Sequence, residues 1–237
     1  MALRSGDLAR LWPRFEPVEF KDHEILHRQG DPIKTVYFFE SGWSSELSIL
    51  ADGSSAEVAI VGREGMVGLT VLLGDHLAGA EARIQCAGTA LTLSTKAFRE
   101  VLGRNPAFRT RLLSYAMARY LQAVHSITCN ARHQVAQRLV RKLLMAHDRA
   151  EGDTFPMTHE SLSNVLGVRR SGVTVAAGHL QEAGLIRYSA GRITITDRAG
   201  LEAVACECYG LIRDDFDRLL GPTARVGPPT VVGMGSA

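Results

Sequence analysis

Apolar residues come in short runs over the first hundred positions and then switch to helical spacing for most of the remaining chain. Between Phe20 and about Leu93 the runs are broken by turn-forming residues at Gly30-Asp31-Pro32, Ser41-Gly42, Asp52-Gly53-Ser54, Gly62, Gly65, Gly74 and Gly88. That density of turns predicts an all-β sandwich or jelly roll. The clearest strands are Val36–Phe39, Leu47–Leu50 and Ala56–Val61, the last two joined through Asp52-Gly53 as a hairpin. A short helix around Leu8, Leu11 and Trp12 is expected to pack across one end.

Helical spacing begins after Lys96, where Phe98, Val101 and Leu102 mark a short helix ending near Gly103. Asn105-Pro106 then opens the longest helical pattern, running to Ile127 or just beyond. Leu113, Met117, Tyr120, Val124 and Ile127 follow one another at alternating steps of four and three, the spacing of a coiled-coil seam. The same stripe could be the inner face of a helix packed on its own domain. A second strip, Leu112, Ala116, Leu121 and Ala123, favours the two-chain reading, because it could meet the β-domain while the first meets a partner. Thr128-Cys129-Asn130 reads as a hinge, and Val135, Leu139, Leu143 and Leu144 mark the next helix.

The stretch from Thr158 to Leu185 predicts two short helices around a tight glycine turn. Thr158 is a good N-cap with Glu160 in the first turn, and Leu162, Val165 and Leu166 share one face before Gly167 ends the helix. After Gly167, Val168 and Arg169 a second stripe appears, Val173, Ala176, Ala177 and Leu180, closed by Gly184. Residues 185–197 then alternate apolar and polar around Ser189, Ala190 and Gly191, a small β-hairpin or wing with Arg187 and Arg192 flanking its tip. A helix-turn-helix with two arginines at the mouth of its second helix suits the DNA major groove. An ordinary helical hairpin with a solvated Arg pair is the plain alternative.

Charge separates the two. From Arg132 to Gly200 there are ten Lys plus Arg against six Asp plus Glu, whereas the whole chain is nearly neutral, 27 against 25. Basicity concentrated in the helix-turn-helix half favours a nucleic-acid face. With 46% hydrophobic residues, no apolar run of roughly 20 residues and no signal-peptide core, the expectation is a folded cytoplasmic protein of two modest domains without a membrane segment. Four scattered cysteines, Cys86, Cys129, Cys206 and Cys208, are expected to stay reduced. Cys206 and Cys208 would stand roughly 200° apart on a helix expected from Gly200 to Leu220, and so read as packing residues that share neither a metal nor a disulfide. That helix is net acidic and is expected to cover the back of the wing domain. His125, Cys129 and His133 could share a face of an unbroken helix, but no fourth ligand is evident, so no metal is expected. His23 and His27 read as surface histidines rather than haem ligands. No nucleophile–base set and no Walker loop is found, which argues against an enzyme.

A β-roll, a long helix and a winged helix-turn-helix, in that order over roughly residues 8–220, resemble the cyclic-AMP receptor and Fnr family of bacterial transcription regulators. The most specific likeness is Thr158–Thr174, together with Glu182–Tyr188 and Ile193–Asp197. The resemblance implies an α+β chain: a cyclic-nucleotide-binding-like roll over residues 1–105, a dimerisation helix and hinge over 106–130, a winged helix-turn-helix over 131–220, and a flexible tail over 221–237. It implies a homodimer on a double-stranded operator, with RNA polymerase as a further partner. Arg170, Ser171 and Thr174 or Val175 would face base edges, and Arg169, Thr158 and Gly172 phosphates. Relatives often carry Glu at the place of Ser171 and a second Arg at the place of Val175, so the operator sequence is expected to differ.

Relatives that bind a cyclic nucleotide carry a Glu for the ribose and, about a dozen residues on, an Arg for the phosphate. In the matching stretch, Glu64, Gly65, Val67 and Gly68 lead to Leu69 at the Glu position and Ala80 at the Arg position. Arg83, three residues further along a strand, would point to the opposite face. A phosphate taken from water without a cation is costly, so cyclic AMP is expected to bind weakly or not at all. With no cysteine before Cys86, the N-terminal iron–sulfur cluster of Fnr-like relatives is excluded. No cofactor is expected and the effector is unspecified. Two rivals remain: an effector-binding module whose helix-turn-helix contacts proteins, and a regulator that needs no effector.

Overall fold

The computed structural model describes residues 12–222. Eight strands build the N-terminal roll: β1 (Glu16–Phe20), β2 (Ile25–His27), β3 (Thr35–Phe39), β4 (Trp43–Ile49), β5 (Ser55–Val61), β6 (Met66–Val67), β7 (Glu81–Cys86) and β8 (Gly88–Ser94), with a one-turn helix α1 (Leu69–Leu72) after β6. They pair antiparallel in two four-stranded sheets, β1-β8-β3-β6 and β2-β7-β4-β5. Between the sheets lie Phe20, Phe39, Val61, Val67, Ala82, Ile84 and Ala90, all buried. The expected β4–β5 hairpin is present, closed at the Asp52-Gly53 turn. Trp12–Arg14 forms a single 3-10 turn; Leu8, Leu11 and the tail from residue 223 onward lie outside the described residues.

Ser94 caps α2 (Thr95–Arg104), and Asn105 with Pro106 starts α3 (Pro106–Arg132), whose 27 residues span about 40 Å. Phe108, Leu112, Tyr115, Ala118 and Gln122 form its buried face. The expected hinge at Thr128-Cys129-Asn130 is helical; the break comes later, at His133 and Gln134, both extended. Gln134 sets it there, because with Gln137 it makes the capping box of α4 (Val135–His147).

The C-terminal half comprises β9 (Thr154–Pro156), α5 (His159–Leu166), α6 (Arg170–Glu182), the hairpin β10 (Ile186–Ser189) and β11 (Arg192–Ile195), then α7 (Arg198–Val204) and α8 (Glu207–Leu220). The single helix expected from Gly200 to Leu220 is two helices, separated by extended Ala205 and Cys206. Nor does the second of them cover the back of the wing domain. α8 lies along α3, where Phe216 meets Tyr115 edge-on with 6.5 Å between ring centroids, His125 bonds Asp215 at 2.9 Å and Arg111 donates to the Leu220 carbonyl. The extended pair turns the chain so that α7 packs on α4 while α8 reaches α3.

One buried cluster runs through both halves: Trp43, Ile60 and Met66 of the roll are continuous with Leu139, Leu143 and Phe155 of the C-terminal half. Every residue of α4 from Leu139 to Ala146 is buried, Arg141 and Lys142 included. Lys142 Nζ meets Glu57 of β5 at 2.5 Å, with side-chain exposures of only 4% and 10%. Arg149 pairs with Glu64 at 2.6 Å, and Phe155 packs edge-on against Trp43. Burial pulls the Lys142 pKa down from its ordinary value, and the Glu57 carboxylate opposes that pull. Removing one partner of a dry ion pair strands the other. Lys142→Ala is therefore expected to lower stability by about 3–5 kcal/mol in urea unfolding, and Lys142→Met combined with Glu57→Leu to recover most of the loss.

Candidate nucleic-acid interface and effector chamber

Thr158 accepts the Ser161 amide at 3.0 Å and its own amide donates back to the Ser161 hydroxyl, so α5 begins on a closed capping box. Gly167 ends that helix with φ 60°, a left-handed conformation that lets the chain reverse within three residues into α6. Val173, Ala176, Ala177 and Leu180 turn inward, as their spacing predicts. Arg169, the N-cap, and Arg170, Ser171, Thr174 and Val175 are exposed on the opposite side, with Gly172 half-buried between them. The leading turn of α6 thus presents cations, hydroxyls and free backbone amides together, the features that hold phosphate and read base edges.

The wing stands beside this turn. Ala190 and Gly191 are both left-handed at its tip, a backbone that matches strand twist. The Met157 amide donates to the Gly191 carbonyl at 2.9 Å, so the tip lies against the start of α5. Arg187 and Arg192 are exposed on the two strands; Arg192 also donates to the Thr154 carbonyl at 3.3 Å. Of the ten cations between Arg132 and Gly200, Arg138, Arg141, Lys142, Arg149 and Arg198 have internal partners. The outward charge is concentrated on the helix-turn-helix mouth and the wing.

His159 and Tyr188 had no signal in the sequence pattern, yet they fasten these parts together. Their rings stack at 4.1 Å, and His159 Nδ1 lies 3.1 Å from the Thr174 hydroxyl. Burial and the nearby Arg170 guanidinium push the His159 pKa below its ordinary value. The Tyr188 amide donates to Gln181 of α6. A helix, a wing strand and the first helix are thereby locked in one geometry.

The residues aligned with a cyclic-nucleotide cassette do not gather around one cavity. Glu64 turns away from the roll to pair with Arg149, and both line a 390 Å³ cavity against α8. Val67 is part of the sheet-to-sheet core, Gly68 is left-handed against Val36, Leu69 packs on the main core and Ala80 is half-buried. Arg83 is held by Glu81 at 2.5 Å. A Cβ on Gly65 would collide with the ring of Tyr115, so the α3 side chain covers the backbone of the cassette. Tyr115 accepts from Arg119 at 2.9 Å, and Arg119 reaches Glu46 of β4 at 2.8 Å. Burial works to discharge Arg119, but Glu46 and Tyr115 outweigh it and hold the guanidinium charged. Burial also pushes the Tyr115 phenol up to about 12. A second, 660 Å³ cleft lies between the roll and the wing half, bordered by Trp43, Cys86 and Arg192. His27, read as a surface residue, is half-buried, with its Nδ1 enclosed and unpartnered.

The cysteine expectations also change. His125 leaves the predicted Cys129–His133 face to bond Asp215. Cys206 caps α8 instead of lying within a helix, and it joins Cys129, His133 and Cys208 in one cluster. Two members of that cluster come from a part of the chain more than seventy residues away.

Residues 17–105 match the model of the cyclic nucleotide-binding domain, and residues 137–204 that of the Crp-like helix-turn-helix domain. No curated protein matches the chain. Among solved structures, the chain is similar to FixK2 from Bradyrhizobium japonicum (17% identity, 81% of this chain and 98% of that one, TM-score 0.69). It is also similar to a putative regulator of the Crp/Fnr family from Eubacterium rectale (18%, 85% and 94%, TM-score 0.66). A third is the global regulator CLP of Xanthomonas campestris, described as c-di-GMP responsive (17%, 81% and 99%, TM-score 0.65). Among the described residues no helix is long and apolar enough to cross a membrane.

Proposed function

This chain belongs to the Crp/Fnr family of transcription regulators, and on that premise we propose that it works as a homodimer on a pseudo-palindromic DNA operator, governed through its β-roll by something other than cyclic AMP. The observation that carries the DNA contact is the exposed leading turn of α6, with Arg169 and Arg170 outward and the wing arginines beside it. Arg169 grips the backbone and Arg170 reads a guanine, the commonest specific contact of this kind. Val175, 58% exposed, offers methyl groups suited to thymine.

Support for the homodimer comes from α3. Leu113, Met117, Tyr120, Val124 and Ile127 are all exposed, Tyr120 at 62% and Ile127 at 69%, while α8 and the roll occupy the rest of the helix. Five large apolar groups at heptad spacing along about 20 Å match the seam of a two-helix interface. Pairing there would set two α6 helices for successive major grooves, about 34–36 Å apart.

The Tyr115–Arg119–Glu46 network supports an effector other than cyclic AMP. It occupies the space over Gly65, and no cation stands at Leu69 or Ala80 to receive a phosphate. The same residues join the dimer helix to the roll, and Lys142–Glu57 and Arg149–Glu64 join the roll to the winged half. A ligand that prefers one arrangement of these pairs would bias the spacing of the recognition helices.

Three measurements test this reading. Binding to operators selected from genomic DNA should weaken steeply with salt; Arg169→Ala should lower the salt slope by about one, whereas Arg170→Ala should cost about 1–3 kcal/mol and relax one position per half-site. Salt-independent behaviour or unchanged selectivity would remove the DNA role of this face. In sedimentation, the wild-type chain should run as a dimer and the Tyr120→Asp, Ile127→Asp double variant as a folded monomer; a wild-type monomer would sink the seam. Calorimetric titration with cyclic AMP and cyclic GMP should show no micromolar binding, and a micromolar constant would overturn the chamber reading; cyclic di-GMP, to which the Xanthomonas regulator is described as responding, is the informative third ligand.

A further inference from the structure

Cys129 sits in the last turn of α3, His133 is the C-cap of that helix, Cys206 caps α8 and Cys208 lies in the first turn of α8. One ligand atom from each lies within 4.8 Å of every other. Cys129 Sγ is 3.7 Å from Cys206 Sγ, and Cys208 Sγ is 3.6 Å from His133 Nδ1. A zinc ion with sulfur at about 2.3 Å and nitrogen at about 2.0–2.1 Å in tetrahedral geometry requires sulfur–sulfur edges of about 3.8 Å and sulfur–nitrogen edges of about 3.6 Å. Two of the six edges already stand at that separation, and the other four are no longer than 4.8 Å. We propose that Cys129, His133, Cys206 and Cys208 form a Cys3His site for a zinc-class divalent ion at the hinge between the long helix and the last helix.

Ligand type points the same way. Three thiolates and one imidazole select a soft or borderline ion and disfavour magnesium or calcium. All three cysteines are buried and four protein ligands leave no open position, as in structural rather than catalytic sites. An iron–sulfur cluster would interpose several atoms between its cysteines and needs a wider cage. The remaining nitrogen of His133 also has its partner: Nε2 lies 3.4 Å from Glu207 Oε2, the carboxylate–histidine arrangement that orients a metal-bound ring.

The position gives the ion a structural task. α8 is already fastened to α3 by Arg111 and His125 nearer its far end. An ion at Cys129 and Cys206 would fasten the near end, beside the break at His133–Gln134 where the chain leaves the dimer helix for the winged half. The site would hold the hinge in one geometry, and its loss would free it.

The test uses the full chain and does not depend on DNA binding. Protein purified without chelator should carry about one zinc per chain by elemental analysis. Reduced, metal-stripped protein titrated with cobalt(II) should develop the visible bands of a tetrahedral thiolate site, which zinc then abolishes. Cys208→Ser should remove about one third of the sulfur-to-cobalt charge-transfer intensity, one thiolate of three, and Glu207→Ala, a positioning change at an exposed carboxylate, should weaken metal affinity ten- to a hundredfold. Cys86→Ser, in the roll, should change neither. If Cys208→Ser does not fold, the wild-type titration and Glu207→Ala still decide. Wild-type protein that neither carries metal nor develops the cobalt bands overturns the proposal, as does a Cys129–Cys206 disulfide found by mass spectrometry in metal-free protein purified without reductant.

Discussion

Lys142 is dry in the middle of α4, and only Glu57 from the opposite half of the chain makes that tolerable. The pair fixes more than a local contact. With Arg149–Glu64 and the Trp43–Phe155 edge, it holds the winged half against the roll so that one core passes through both. The direction in which α6 presents its arginines is therefore set by contacts made at a distance, on the far side of α4. An ion pair suits such a joint better than a greasy one: it is satisfied in one geometry and costly in most others, so intermediate arrangements are disfavoured.

The long helix has two faces with two chemistries. Its inner face is polar where it enters the roll, through Tyr115, Arg119 and Gln122, and aromatic where it meets α8. Its outer face carries an exposed apolar stripe. Anything that shifts Tyr115 over Gly65 acts on the same rod that carries the exposed apolar stripe, and the rod ends just past Cys129 at the break that precedes α4. Tyr115 over Gly65, the exposed apolar stripe and the break before α4 thus belong to one helix, which gives a change in the roll a physical route toward a recognition helix it does not touch.

Charge obeys the same division. A count along the chain sees ten cations between Arg132 and Gly200 as equivalent. Folding separates them into five that have partners inside and five that are exposed, four of these at α6 and the wing and Arg132 at the end of α3. The DNA-facing potential is more local than composition suggests, because Arg141 and Lys142 are buried on a helix whose periodicity alone puts charges outside.

Local patterns could be read directly. Thr158 and Gly167 bound α5, Val173–Leu180 spacing buries one side of α6, and the Ser189–Gly191 turn makes the wing, because caps, glycine turns and helical or strand periods act within a few residues. The exposed stripe from Leu113 to Ile127 belongs with them. What no local pattern holds is pairing across long separations. The break at Ala205–Cys206 defeated a helix expected to run through it, and with it the inference that Cys206 and Cys208 could not meet a common partner. His159 on Tyr188, Tyr115 on Gly65, Lys142 on Glu57 and Cys129 beside Cys206 join residues 29 to 85 positions apart. Sequence by itself determined the elements and the faces they bury, since those depend on short-range geometry; only tertiary structure decided which polar and sulfur groups find one another, since that depends on how the buried faces dock.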